Sequence, residues 1–291
     1  MHRFDYYTPN TAAEAVDLLR TKGEGGKVLA GGTDLLPQMK ERGRHPKYIV
    51  SLKNVREIQE LAFDPGNGLK VGAGARFRLL QRDAAVQERY PILVQSAKLI
   101  GSLQTQNLAT IGGNVCNAAP SADAVPAFIV LDAEATIRGS KGQRTLALND
   151  VFIGPGQTVL DPDEVLEGLN VPLPLPRSAG VYLRHVPRKE LDIAIAGVGV
   201  YVQLDEAKQR FTHARVCLAS VAPTPMRAPQ TEAALLGQTP SADLFQHAGE
   251  VAAAESRPIS DQRGSANFRL ALVKALTVKC LTQAVDSIKG S

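Results

Sequence analysis

Two short segments, Ala30-Gly31-Gly32-Thr33-Asp34 and Thr110-Ile111-Gly112-Gly113-Asn114, constrain this chain more than any other feature of its sequence. Each joins a glycine pair to a hydroxyl and a short polar side chain. Glycine tolerates positive φ and lets a backbone come close to a ligand. Successive N–H groups in such a turn converge on one point and form a nest for an anion. One Gly-Gly pair alone is more often a plain turn. Two loops of the same design, neither followed by the Lys-Ser or Lys-Thr of a P-loop, predict a diphosphate gripped from two sides.

The rest of the sequence narrows the classes open to such a chain. Its 291 residues, 44% of them hydrophobic, suffice for two modest domains with real cores. Lys and Arg number 33 against 29 Asp and Glu, a net charge of +4 and a pI ≈ 9.0. The signs are interspersed, as in Lys40-Glu41-Arg42 and Arg188-Lys189-Glu190, which argues against a nucleic-acid surface. Cys116, Cys217 and Cys280 lack C-x-x-C spacing and cannot supply the four thiolates of an iron–sulfur or zinc site. So few cysteines fit a reducing compartment. No run approaches the roughly 18 apolar residues of a membrane span, and Met1-His2-Arg3-Phe4-Asp5 lacks a signal-peptide core. The expectation is a cytoplasmic protein with no transmembrane segment.

Thr11-Ala12-Ala13-Glu14 is a capping box, with Ala15, Val16, Leu18 and Leu19 as the apolar stripe of a helix that Gly23 ends. Lys27-Val28-Leu29-Ala30 reads as a short buried strand running into the first glycine loop. Asp34 can cap a helix whose first turn tolerates Pro37, and residues 48–52 form a further strand. Together these make a small β-α-β-α-β lobe to about residue 55, with the loop at a strand's end, where α/β sheets favour ligands. Beyond it, residues 69–73 are strand-like, and residues 76–89 and 91–101 look helical. The second glycine loop follows, and the apolar run 125–131 reads as core. Residues 135–138 and 144–147 resemble a hairpin around Gly139 and Gly142. Alternating prolines over residues 171–176 mark a linker or a sheet's last edge. Residues 193–204 and 214–221 are long enough for antiparallel strands, and helices then dominate around 231–236, 243–254 and 267–286. The expected domains are residues 1–175, with lobes of about 1–55 and 56–175, and residues 176–291.

Catalytic signatures are missing. Gly72-Ala73-Gly74 comes nearest a dinucleotide fingerprint, but Phe77 takes the third glycine's place; Gly197-Val198-Gly199 runs on into a strand. His2, His45, His185, His213 and His247 show neither metal spacing nor a nearby nucleophile motif. No catalytic residue and no metal ligand is expected here, so any chemistry belongs to a bound cofactor.

Ala30-Gly31-Gly32-Thr33-Asp34-Leu35, Ala109-Thr110-Ile111-Gly112-Gly113-Asn114, Asp123 and Asp192-Ile193-Ala194 resemble the FAD-binding medium subunits of molybdenum hydroxylases, of the xanthine dehydrogenase and aerobic carbon monoxide dehydrogenase type. The resemblance runs nearly the whole chain, and the second segment with Asn117-Ala118-Ala119-Pro120-Ser121-Ala122-Asp123 is its most specific part. It implies an α+β fold: a two-lobed FAD-binding domain of the vanillyl-alcohol-oxidase (PCMH) type, then a small antiparallel sheet with a helical bundle. It implies FAD, with Val28, Leu29, Ala30, Gly31, Gly32, Thr33, Asp34 and Leu35 wrapping the pyrophosphate. Thr110, Ile111, Gly112, Gly113 and Asn114 would close on it from the other side. Asp123 would accept from a cofactor hydroxyl, and Leu166 would make an apolar contact near the flavin. Arg184 stands where relatives carry Lys beside the ring, keeping the charge with a different geometry. Ile100 stands where eukaryotic xanthine enzymes carry Phe, which removes aromatic stacking there. The chain also lacks the cysteine-rich insertion of the 4-hydroxybenzoyl-CoA reductase medium subunit, so flavin without an iron–sulfur cluster is expected.

By the same resemblance, a large partner subunit holds the molybdenum cofactor and a small one carries two-iron two-sulfur (2Fe-2S) clusters, as a dimer of heterotrimers. The flavin subunit passes electrons from those clusters to NAD⁺ or another acceptor. Two alternatives stay open: a free-standing FAD oxidoreductase of this fold, and a non-catalytic nucleotide-binding assembly protein. Co-purifying molybdenum and iron separates the first, and flavin content the second.

Overall fold

The computed structural model describes residues 2–41, 43–188 and 191–290. The Thr11 hydroxyl accepts the Glu14 N–H at 3.1 Å, and the Glu14 carboxylate accepts the Asn10 N–H at 2.7 Å. These bonds start helix Ala12–Lys22, which stops at Gly23 with φ 67°. Ala12, Ala15, Val16 and Leu19 pack on Tyr48 and Val50 of a three-stranded parallel sheet. Tyr48–Ser51 is the middle strand, with Asp5–Tyr7 and Gly26–Leu29 at its sides. Helix Leu35–Glu41 covers the other face, joining Met39 and Leu35 to Leu29 and Ile49.

The strand expected to be buried over residues 27–30 is instead a sheet edge ending at Leu29, with Lys27 and Val28 exposed. Strand Tyr48–Ser51, later in the chain, took the central place, and all four of its residues are buried.

The next unit is a five-stranded antiparallel sheet in the order Leu61–Asp64, Gly68–Gly72, Val165–Val171, Glu134–Gly139, Gly142–Ala147. The hairpin expected around Gly139 and Gly142 forms its far edge. Its central strand, Val165–Val171, is the last in sequence and carries a bulge between Leu166 and Gly168. Residues 76–89 form two helices, Phe77–Arg82 and Ala84–Arg89, because the Asp83 carboxylate accepts the Val86 N–H at 3.0 Å and restarts the helix. Helix Pro91–Lys98 follows.

The apolar run 125–131 fills helix Ala124–Val130, every residue of which is buried, and ends on buried Leu131 at its C-cap. Burying each large side chain there contributes about 1.5–3 kcal/mol. One side of the helix belongs to the core with Leu69, Val71 and Ile137; Tyr182, Tyr201 and Cys217 of a second antiparallel sheet join the same cluster. That sheet runs Ser178–His185, Ala196–Leu204, Phe211–Ala219, Met226–Arg227. A Cβ on Gly199 would meet Pro126 at 3.5 Å, so helix and sheet pack closely. The sheet's far face buries Val198, Val200, Val202 and Leu218 against helices Pro229–Leu235, Ala242–Glu255 and Ala266–Gly290. The proline run connects Val165–Val171 to Ser178–His185, pinned where the Tyr90 hydroxyl donates to the Pro172 carbonyl at 3.0 Å.

Candidate functional site

The first glycine segment is an irregular turn between the edge strand Gly26–Leu29 and helix Leu35–Glu41. Gly32 takes φ 76°, a left-handed conformation that glycine adopts without strain. A Cβ on Gly31 would lie 2.3 Å from the Leu108 carbonyl oxygen and 2.8 Å from Ala109 Cα. The turn therefore runs hard against the backbone just ahead of the second segment. The N–H groups of Gly31, Gly32 and Thr33 find no acceptor among the described residues. Residues 31–33 are half-buried, so these donors are open to water or to a ligand.

The second segment is not the loop expected from sequence. Thr110 caps helix Ile111–Asn117, its hydroxyl accepting the Gly113 N–H at 3.1 Å. Ile111 N–H donates to Ala75 O at 2.9 Å, Gly112 N–H to Ala73 O at 2.8 Å, and Asn114 N–H to Thr110 O at 3.0 Å. The N–H groups of Ile111, Gly112, Gly113 and Asn114 are thus all satisfied inside the protein. Neither glycine has positive φ.

The two glycines of this pair also differ in purpose. A Cβ on Gly112 would press on Ala73, 2.5 Å from its Cβ, so this glycine serves packing. At Gly113 a Cβ would meet only the Thr110 hydroxyl at 2.9 Å and, beyond it, Ala30 Cβ at 3.9 Å. Gly113 thus faces the first segment. Beside it, Asn114 Oδ1 is buried with no hydrogen-bond partner.

Ile100 is half-buried in the turn after helix Pro91–Lys98. Its carbonyl accepts from Gln106 Nε2 at 3.0 Å, and Gln106 Oε1 accepts from Gln81 Nε2 at 3.0 Å. This buried amide pair fixes Ile100 against helix Leu103–Leu108, whose last carbonyl abuts Gly31. Leu166 is buried, 3% exposed, on the central strand of the five-stranded sheet, where helix Ile111–Asn117 packs.

Asp123 and Arg184 read as separate residues in the sequence; the structure makes them one buried ion pair across 61 positions, with side chains 9% and 7% exposed. The other Asp123 oxygen, Oδ1, accepts from the Tyr182 hydroxyl at 2.9 Å. Arg184 also reaches the Asp192 carbonyl at 3.4 Å. Burial pushes the Asp123 carboxyl up to about 6, against the opposing pull of Arg184 and of the Tyr182 hydrogen bond. Burial, reinforced by the neighbouring carboxylate, raises the Tyr182 phenol well above its ordinary value. The Arg184 charge is therefore balanced from within the protein. Tyr182 escaped the sequence reading, although Tyr182 and Arg184 share a strand face by their spacing of two. Glycine makes its space: a Cβ on Gly197 would lie 2.5 Å from the Tyr182 hydroxyl.

Among the described residues no helix is long and apolar enough to cross a membrane.

Residues 2–174 match the family described as the FAD binding domain in molybdopterin dehydrogenase, and residues 181–284 the CO dehydrogenase flavoprotein C-terminal domain. The chain is 30% identical over 287 residues to the xanthine dehydrogenase FAD-binding subunit of Escherichia coli O157:H7, covering 98% of this chain and 97% of that one. It is 32% identical over 282 residues to the carbon monoxide dehydrogenase medium chain of Hydrogenophaga pseudoflava, with 97% of each covered. The solved carbon monoxide dehydrogenase from that organism superposes with a TM-score of 0.93 at 32% identity, over 97% of both chains. Quinoline 2-oxidoreductase from Pseudomonas putida 86 gives a TM-score of 0.91 at 27% identity, over 99% of this chain and 98% of that one.

Proposed function

This chain belongs to the FAD-binding subunits of molybdenum hydroxylases of the xanthine and carbon monoxide dehydrogenase type, and from that premise we propose that the gap between its two glycine segments holds the FAD diphosphate. The observation that carries this reading is the set of groups left unpaired there. Among the described residues, three N–H donors on Gly31, Gly32 and Thr33 lack acceptors, and Asn114 Oδ1 lacks a donor. A ligand that completes both needs acceptors and hydroxyls side by side. A diphosphate joined to a ribityl chain has them, so the residues present fit FAD.

In this reading the Gly31, Gly32 and Thr33 N–H groups and the Thr33 hydroxyl bind phosphate oxygens, while Val28, Leu29, Ala30, Asp34 and Leu35 frame the turn. Gly113 keeps the gap open, and Asn114 accepts from a cofactor hydroxyl. Thr110, Ile111 and Gly112 act by holding the helix start in place. Ile100 and Leu166 supply apolar contacts to the flavin. Arg184 stands beside the ring already paired with Asp123, so the pair acts as an oriented dipole more than as a free cation. FAD, when bound, supplies the exchange of electrons singly or in pairs.

Relatives named as medium chains, matched over nearly their whole length, support an assembly with a large molybdenum-cofactor subunit and a small 2Fe-2S subunit. A dimer of such heterotrimers, NAD⁺ or another acceptor, a division into domains near residue 175 and a cytoplasmic site complete the proposal.

An absorption spectrum of the purified protein, followed by chromatography of its acid-released cofactor, tests the diphosphate site. FAD is the expected result. FMN would remove the argument for a diphosphate, and folded protein that binds no flavin on reconstitution would end the reading altogether.

A further inference from the structure

The central strand Tyr48–Ser51 ends on a polar residue in an otherwise apolar setting. Ser51 is 1% exposed, and its hydroxyl has no hydrogen-bond partner among the described residues. It does not cap the short helix Leu52–Asn54 that follows. Burying a hydroxyl without a partner is costly, and such atoms in native proteins call for a reason.

The register supplies one. Ser51 pairs with Leu29 in the parallel ladder, so both side chains stand on one face of the sheet. On that face Leu29 and Ile49 pack with Met39 and Leu35. Leu29 is the last strand residue before the first glycine turn, which places Ser51 at the carboxyl end of the parallel sheet, level with the start of that turn. Ligands of α/β sheets sit at such ends.

We infer that Ser51 is a further FAD-binding residue, its hydroxyl donating to a phosphate oxygen of the diphosphate that the Gly31–Thr33 turn holds. This rests on the diphosphate reading above. If the hydroxyl served only to brace the turn, it would bond one of the three N–H groups there, yet those donors and this hydroxyl are all unpaired. They lack the same partner: a ligand rich in acceptors.

The test uses the full chain, stripped of flavin and titrated with FAD, with ADP as a competing probe, in wild type, Ser51→Ala and Ser51→Cys. Hydrogen bonds to charged groups are among the stronger ones, so both variants should bind FAD and ADP about 10- to 100-fold more weakly. The thermal midpoint of the stripped Ser51→Ala protein should stay equal or rise, because an unpaired buried hydroxyl has been removed. Unchanged FAD affinity overturns the inference. So does a lowered midpoint in the stripped variant, which would make Ser51 structural, or an FAD loss with ADP unaffected, which would put the contact elsewhere. Failure of the wild-type chain to bind FAD would defeat the diphosphate site itself, a result visible before any substitution.

Discussion

The two glycine pairs look alike in sequence and handle their backbone donors in opposite ways. The first is a turn with a left-handed Gly32 and three N–H groups left open. The second is a helix start whose donors go to Ala73, Ala75 and Thr110. A glycine pair near a hydroxyl is therefore not one device but two. In the first, absent side chains leave backbone N–H groups open; in the second, they let Gly112 lie on Ala73 and leave Gly113 facing Ala30. Following where each N–H goes, as a complete account of buried donors requires, is what separates them.

The largest effect should come from Gly31→Val. Its Cβ would strike the backbone at Leu108 and Ala109, a contact no rotamer relieves. Overpacking of this kind costs about 1–3 kcal/mol or more, and moving the turn should empty the site. Flavin per chain should fall to near zero and the thermal midpoint should drop; a variant that keeps its FAD would break the claim that this turn is the grip.

Within the second pair, Gly112→Val and Gly113→Val should part company. Gly112→Val should destabilise the flavin-free protein by about 1–3 kcal/mol through Ala73. Gly113→Val should cost less, since its Cβ meets only the Thr110 cap hydroxyl at 2.9 Å, and should abolish FAD retention by filling the gap towards Ala30. Denaturant unfolding with flavin titration on both variants gives the answer, and an exchange of the two outcomes would reverse the assignment.

The smallest effect concerns Asp123, which, like the second segment, has its partners within the protein. Its folded value of about 6 lies above the ordinary 3.8, so between them the folded state holds a proton that the unfolded state has lost. The stability this provides is fully present below about pH 4 and is lost as pH rises through 6. The midpoint of wild type minus that of Asp123→Asn should accordingly fall across that window and level off above it. A difference curve flat from pH 4 to 7 would mean the buried pair does not titrate as described.

Much of the fold was legible where the pattern is local. The capping box at Thr11, the alternating lobe and the hairpin at Gly139 and Gly142 all formed. So did the helices after residue 229, because each depends on neighbours a few residues away. Strands Leu61–Asp64, Val165–Val171 and Ser178–His185 went unread. The first is short, the second is interrupted by a bulge and Gly168, and the third sits just beyond a run of prolines. The site followed the same division. Of the candidate site, the glycine pairs stood out by residue type and spacing, Asp123 and Arg184 were named through the family resemblance, and Tyr182, Gln106 and Ser51 were not named at all, since nothing local distinguishes them from any other buried polar residue.

The sequence by itself determined the family, the two glycine segments and the elements with a local signature, because these rest on residue types and short spacings. Tertiary structure alone decided which segment keeps its donors open, that Asp123 meets Arg184 and that Ser51 ends unpaired beside Leu29. Those outcomes turn on contacts between distant parts of the chain, where a carbonyl such as Ala73 O or Ala75 O either arrives to accept an N–H or does not.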